Sequence, residues 1–283
     1  MTRQQEIERS LHTTFSKTIW SRMIGGIKQY ELLKEGDRVC VCISGGKDSM
    51  LLATCLRMLQ RVSDFPFELK FLVMDPGYRE ENRRLIEENL AALGIPAVIR
   101  ENCLFEAAET VSRKNPCYMC SRMRRGNLYA YARELGCSKI ALGHHFDDMI
   151  ETVLLSVLYG SQVRTMMPKL HSDHFPGMQV IRPLYLVREA DICRWRDENG
   201  LRFLACACRM TEGDAAGTLD SKRAEVKRLI AHLRTVNPQI DINIFRSVHN
   251  VKLGAVIGWK TPDGREHSFL DDYDAAAPTG DGL

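Results

Sequence analysis

The apolar residues Ile7, Leu11, Phe15, Ile19, Met23 and Ile27 recur at a constant spacing of four, which keeps them on one slowly drifting face of a helix over residues 3–30. That face must pack against something. Lys17, Arg22 and Lys28 lie off the stripe, so residues 1–30 read as a helical arm whose charged side is open to water or to an anionic partner. The period then changes. Short runs suited to strands, at Arg38–Ile43, Leu69–Met74, Ala97–Arg100, Lys139–Leu142 and Gln179–Ile181, alternate with helical stretches at Met50–Ala53, Glu81–Leu93, a segment ending at Gly136, and Asp148–Leu158. Strands separated by helices mean βαβ units. The expectation for residues 31–185 is therefore an α/β fold built on a doubly wound parallel sheet, with ligands at the carboxyl ends of its strands. From about residue 184 the alternation stops. Helical patterns at Arg188–Asn199, closed by Gly200, and at Asp220–Thr235 predict a small helical region over 186–260, and the acidic, small-residue stretch Asp271–Pro278 predicts a loose tail over 261–283.

Composition narrows the class. With 283 residues, 45% hydrophobic and 27% charged, the chain is long enough to bury a full core. No apolar run approaches the roughly 20 residues that a membrane helix needs, and Met1–Gln5 lacks the apolar segment of a signal peptide, which places the protein in the cytoplasm. A net charge of +3 is too mild to demand a nucleic-acid partner, although local clustering can still make a basic face. The 10 cysteines say more, because all fall between Cys40 and Cys208. Cys40, Cys42 and Cys55 sit in apolar patterns where cysteine acts as a small hydrophobe, and in a reducing compartment the remainder point to metal or redox chemistry rather than to disulfides.

Three stretches carry candidate chemistry. The first is Ser44-Gly45-Gly46-Lys47-Asp48-Ser49, between the strand at Arg38–Ile43 and an apolar helical run. Two glycines permit a tight turn with open N–H groups, the helix start adds partial positive charge, and Lys47 and the two hydroxyls supply donors, so an anion of phosphate size fits. The second is Pro116-Cys117-Tyr118-Met119-Cys120 followed by Arg122, Arg124 and Arg125: a CxxC pair able to chelate a metal centre or form a redox disulfide, with arginines to hold anions. Cys206 and Cys208 form a tighter CxC pair further on. The third is Gly143-His144-His145-Phe146-Asp147-Asp148, where a strand ends and a helix begins. There Asp147 reads as the N-cap, Gly143 as a point of close nucleotide approach, and the paired acids as magnesium or substrate ligands. His144 and His145 as a zinc pair are disfavoured, since neighbours on a strand face opposite ways. Asp75 ends a strand before Pro76-Gly77 and reads equally as a nucleotide contact or as a turn aspartate.

The SGGKDS string resembles the pyrophosphate-binding loop of the N-type ATP pyrophosphatases. Taken together with CYMCSRMRRG, KIALGHHFDDMIET, MPKL, VIRPL and READI in that order, the chain over roughly residues 15–250 is similar to the tRNA 2-thiocytidine synthetase family. The resemblance implies a PP-loop ATPase domain of the adenine nucleotide alpha hydrolase-like type. It also implies that cytidine 32 of tRNA is activated by ATP and Mg2+, and that its C2 oxygen is replaced by sulfur with the help of a [4Fe-4S] cluster. Carried over by position, Ser44, Gly45, Gly46, Lys47, Asp48 and Ser49 match the ATP-binding loop, and Cys117, Cys120 and Cys206, with Cys208 as the alternative, the cluster ligands. The residues themselves add Asp75 and Gly143 as candidate ATP contacts, and Lys47, Asp48, Asp147 and Asp148 as candidate catalytic groups. Arg122, Arg124, Arg125, Lys222 and Arg223, with Lys227 and Arg228 beside them, are the candidate tRNA contacts. A cysteine desulfurase or another donor would supply sulfur, and a homodimer is open. Three competing readings remain: a PP-loop enzyme that amidates or ligates, one that thiolates another tRNA base or a free nucleobase, and a non-enzymatic iron–sulfur redox module.

Overall fold

The computed structural model describes residues 1–101, 126–204, 222–271 and 273. Six strands, β1 (Arg38–Ile43), β2 (Glu68–Asp75), β3 (Ala97–Glu101), β4 (Lys139–Ala141), β5 (Lys169–His171) and β6 (Gln179–Ile181), form one sheet in the order β3-β2-β1-β4-β6-β5. All pairings are parallel except that of β5 with β6. The α/β class and the doubly wound parallel core agree with the sequence pattern, whereas the antiparallel edge strand β5 is an addition to it. Its direction follows from its connection: residues 172–178 are too few for the crossover that a parallel pairing requires.

β1 shows how both faces of the sheet are covered. Val39, Val41 and Ile43 point into one cluster, and Cys40 and Cys42 into the other, as the two-residue period of a strand dictates. On the first face lie α1 (Arg3–His12), α2 (Ser21–Gln29), α3 (Lys47–Val62), α4 (Glu80–Leu93) and, from later in the chain, Ile192 and Trp195. The second face is covered by α5, through residues 126–134, with Tyr129 and Ala132 against Leu72, Ile140 and Val180. Cys40 and Cys55 are fully buried, which fits their reading as small hydrophobes. Burial alone raises the Cys55 thiol well above its ordinary range, so it stays protonated.

The N-terminal segment is not the single helix expected. After α1 the chain passes through a π-helical turn at Ser16–Trp20 before α2 begins. The Phe15 N–H donates to the Ser10 carbonyl at 2.9 Å and the Trp20 N–H to the Phe15 carbonyl at 3.2 Å, each five residues back. Apolar residues every four positions drift around a helix of 3.6 residues per turn, and the wider turn brings them back into phase. Ile7, Leu11, Phe15, Ile19 and Met23 are accordingly all at 0% exposure, so the segment is part of the core rather than an arm.

The last layer sets α6 (Phe146–Gly160) against α8 (Lys222–Val236) and α9 (Ile240–Ser247), around Phe146, Met149, Tyr185, Val226, Ile230 and Ile244. α7 (Glu189–Glu198) belongs instead with α3 and the first face. Within the stretch read as a tail, β8 (Glu266–Ser268) pairs antiparallel with β7 (Gly258–Lys260). No helix among the described residues is long and apolar enough to cross a membrane.

Candidate active site

The chain leaves β1 at Ile43, turns through Ser44-Gly45-Gly46 and enters α3 at Lys47. Gly45 has φ +84°, and a Cβ there would lie 2.8 Å from Ile86 Cγ1 and 2.9 Å from Leu204 Cδ1, so both backbone and space require glycine. Gly46 is the N-cap of α3 and brings no side chain to its first amides, which leaves them open to an anion. Ser49 closes the loop on itself: its hydroxyl donates to the Gly46 carbonyl at 2.9 Å and accepts the Ser44 N–H at 3.1 Å. The Lys47 ammonium donates to Glu189 Oε1 at 3.0 Å and to Asp48 Oδ2 at 3.2 Å. Burial works against its charge, but the two carboxylates raise its pKa.

A cleft of about 400 Å³ opens beside this loop, at the carboxyl ends of β1, β2 and β4. Ile43, Met74, Leu128 and Leu142 give it an apolar side suited to a base, and Ser44, Asp48, His144 and Asp148 a polar one. The crossovers reverse direction between β1 and β4, and doubly wound sheets hold their ligands at that switch point.

The start of α6 supplies the polar side and corrects one expectation. Its N-cap is His145, not Asp147. The His145 N–H donates to Asp148 Oδ2 at 3.0 Å, while His145 Nδ1 accepts the Asp148 N–H at 3.4 Å. His145 can take this place because the backbone is still extended there and its ring nitrogen reaches the third helical amide. Asp147, already inside α6, serves a different helix: its carboxylate accepts the Glu189 N–H at the start of α7 at 2.7 Å and is held by Arg234 at 2.6 Å. His145 Nε2 also lies 3.8 Å from Asp48 Oδ1, which places the imidazole between two carboxylates of the cleft. His144 lines the cleft with its Nδ1 buried and unpartnered. Burial, reinforced by the Arg182 charge, pushes its pKa down to about 4, so the ring is neutral at cellular pH.

Other expected residues turn out differently occupied. A Cβ on Gly143 would sit 3.0 Å from the Asp48 carbonyl carbon and the Ser49 nitrogen, so the close approach there is to the start of α3. Asp75 is engaged in its own turn, accepting from the Gly77 and Tyr78 N–H groups at 2.8 and 2.7 Å and from Arg83 at 2.8 Å. Arg223, expected to face RNA, donates inward to Glu151 Oε2 at 2.8 Å and to Asp148 Oδ1 at 3.2 Å. Lys222 lies 5.0 Å over the Tyr159 ring. Lys227 lies 3.4 Å from Glu189 Oε2 and 3.6 Å from Glu151 Oε1. Glu151 and Glu189 fall inside the GHHFDDMIET and READI strings and Arg234 among the basic positions of the late helix, but the sequence assigns none of them a role, because their partners are far along the chain. Burial works against the Glu189 charge, yet the Lys47 hydrogen bond and the ammonium charges of Lys47 and Lys227 hold its carboxyl down to about 2.

Cys117, Cys120, Arg122, Arg124, Arg125, Cys206 and Cys208 lie outside the described residues. Of the described residues that adjoin them in sequence, Leu128 lines the cleft, and the Leu204 N–H donates to the Gly45 carbonyl of the phosphate loop at 3.2 Å. Among the described residues, no group of three or more His, Cys, Asp or Glu side chains is arranged to hold a metal ion.

An uncapped glycine loop carrying a lysine, at the switch point of a doubly wound sheet and beside a base-sized cleft, defines a nucleotide-using enzyme of the PP-loop class, and the PP-loop domain family matches residues 8–208. Within that class the chain belongs to the tRNA-cytidine(32) 2-sulfurtransferase family. It is 38% identical over 231 residues to the tRNA-cytidine(32) 2-sulfurtransferase of Alkalilimnicola ehrlichii, covering 80% of this chain and 70% of that protein. It is 34% identical over 236 residues to the enzyme of that name from Citrifermentans bemidjiense, covering 82% and 90%. The fold is shared with the U34-tRNA thiolase NcsA from Methanococcus maripaludis, solved with its [4Fe-4S] cluster, at a TM-score of 0.62 and 20% identity over 82% of this chain and 79% of that one.

Proposed function

We propose that the protein uses ATP to activate the C2 oxygen of cytidine 32 in tRNA and then replaces that oxygen with sulfur. The observation that carries this reading is the uncapped start of α3 with Lys47 fixed beside it, next to a cleft with one apolar wall. The C2 oxygen of a pyrimidine is a poor leaving group, and adenylation converts it to AMP, which leaves readily. The loop amides and Lys47 stabilise charge on the phosphates as pyrophosphate departs, and the apolar wall receives a base. Asp48, whose Oδ1 lies 3.2 Å from the Lys47 ammonium, and Asp148 on the other side of His145 are the carboxylates that suit the magnesium ion that accompanies ATP. Neutral His144 offers the cleft a hydrogen-bonding group that carries no charge.

Leu128 at the cleft and Leu204 on the phosphate loop, the described neighbours in sequence of the two cysteine-bearing segments, fit a cluster held by Cys117, Cys120 and Cys206, with Cys208 as the alternative third ligand. These three thiolates would hold a [4Fe-4S] cluster, whose chemistry would be to carry sulfur supplied by a desulfurase or another donor. Lys222, Arg122, Arg124 and Arg125 provide cations for tRNA phosphates, while an unstacked loop base enters the cleft.

The test is anaerobic incubation of the purified protein with ATP, Mg2+, sulfide and a tRNA transcript carrying cytidine at position 32, followed by nucleoside mass analysis. 2-Thiocytidine should form together with AMP and pyrophosphate. Lys47→Ala should reduce pyrophosphate release to a small residual rate and leave the visible absorbance of the cluster intact, whereas Cys117→Ser should remove both absorbance and thiolation and spare ATP binding. Thiolation by Cys117→Ser would refute the cluster route, and product from 2-thiouridine sites alone would refute the substrate.

A further inference from the structure

The phosphate loop has one support that its own sequence does not contain. Lys47 has three N–H donors on a flexible four-carbon stem, and a free ammonium on such a stem samples many positions. Here two donors are occupied. One goes to its neighbour Asp48 and the other to Glu189, which lies 142 residues away in the chain. One donor is left for a phosphate oxygen.

Glu189 is itself immobilised at three points. Its N–H is bound by Asp147 of α6, its Oε1 by Lys47 and its Oε2 by Lys227 of α8. Asp147 is in turn held by Arg234, and Lys227 also reaches Glu151, which pairs with Arg223. Glu189 is thus the residue of α7 at which α3 and α8, through its carboxylate, and α6, through its N–H, meet. A structural ion pair between two surface helices would not need the loop lysine, nor a side chain protected to this degree: Lys47 is 19% and Glu189 30% exposed.

We propose that Glu189 is a positioning residue for the reaction, fixing the Lys47 ammonium so that its remaining N–H meets the phosphate charge that develops as pyrophosphate leaves. The proposal rests on the loop reading above and adds to it a residue with no place in the loop motif. A carboxylate that aligns the lysine acts more on the transition state than on ATP binding, because misplacement of a catalytic group by about 1 Å costs about 100-fold in rate while a bound phosphate still finds the loop amides.

The test uses the full chain with its cluster, single-turnover pyrophosphate release in the presence of tRNA, and direct titration of ATP. Glu189→Gln keeps the shape and loses the charge. Its rate constant should fall about 10- to 100-fold while ATP affinity changes less than about threefold, and Glu189→Asp, which keeps the charge one methylene further away, should fall between it and the wild type. In the Lys47→Ala background Glu189→Gln should cause no further loss, since it acts through the lysine. An unchanged rate in Glu189→Gln, or an equal loss with and without Lys47, overturns the proposal. If Glu189→Gln does not fold, Glu189→Asp carries the same comparison with and without Lys47. Unchanged pyrophosphate release in Lys47→Ala would instead overturn the loop reading, and the proposal with it.

Discussion

Burial disfavours the charged form of both His144 and Glu189, and the two side chains end in opposite states because Glu189 is in contact with charges of opposite sign whereas the Arg182 charge opposes that of His144. The pH dependence follows from each. The His144 pKa is about 4 in the fold against an ordinary value near 6.5, so between these pH values the unfolded chain binds more protons. Its contribution to stability is complete above pH 6.5 and is lost as the pH falls through 4. Glu189, ordinarily near 4.5 and here about 2, keeps its contribution above pH 4.5 and loses it as the pH falls from there through 2. His144→Gln should therefore flatten the decline in unfolding free energy between pH 6.5 and 4 by about 3 kcal/mol, measured by urea titration at each pH. A parallel decline in both proteins would show that His144 ionises freely in the fold. The turn at Gly45 and the place of Lys47 at the start of α3 were legible in the sequence because such a loop is local: strand, glycines, lysine and helix follow one another. Glu189 and Arg234 were not, since what defines them is a partner brought near by the sheet.

At the scale of elements, α8 shows how a charge pattern misleads when its neighbours are unknown. Its basic residues Lys222, Arg223 and Lys227 read as an RNA-facing row, yet Arg223 and Lys227 turn toward α6 and neutralise Glu151, whose side chain is 3% exposed. Burial raises the Glu151 pKa even with these partners present. Arg223→Ala leaves a buried carboxylate with only Lys227 nearby and should cost about 1–3 kcal/mol of stability by denaturant titration. If Arg223 served RNA alone, the unfolding midpoint would stay in place and only the salt dependence of tRNA binding would drop, by about one phosphate. The strands were legible to within a residue or two because β1 and β2 are buried on both faces and carry continuous apolar runs. β5 was missed for the opposite reason: it is a short, fully exposed edge strand with no apolar run to announce it.

For the whole molecule, the order of the chain and the order of the core differ. Residues 1–30 precede the phosphate loop and look detachable, but Ile7, Leu11, Phe15, Ile19 and Met23 lie in the same cluster as Val39 and Val41 of the central strand and Trp195 of α7. The same segment is tied down by polar contacts: Glu8 pairs with Arg57 and Arg61 of α3, the latter at 2.6 Å, and Arg3 donates to the Asn199 carbonyl. Full burial of each such side chain is worth about 1.5–3 kcal/mol, and together the five rival the whole net stability of about 5–15 kcal/mol expected of a domain. An RNA-binding arm and a core layer then predict different results for a chain beginning at residue 31. Removal of an arm would leave a folded protein with unchanged cooperative unfolding and weaker tRNA binding. Removal of a core layer exposes the first face of the sheet beneath α3, so the truncated chain should be insoluble or unfold without cooperativity in circular dichroism melts, and ATP binding should be lost along with tRNA binding.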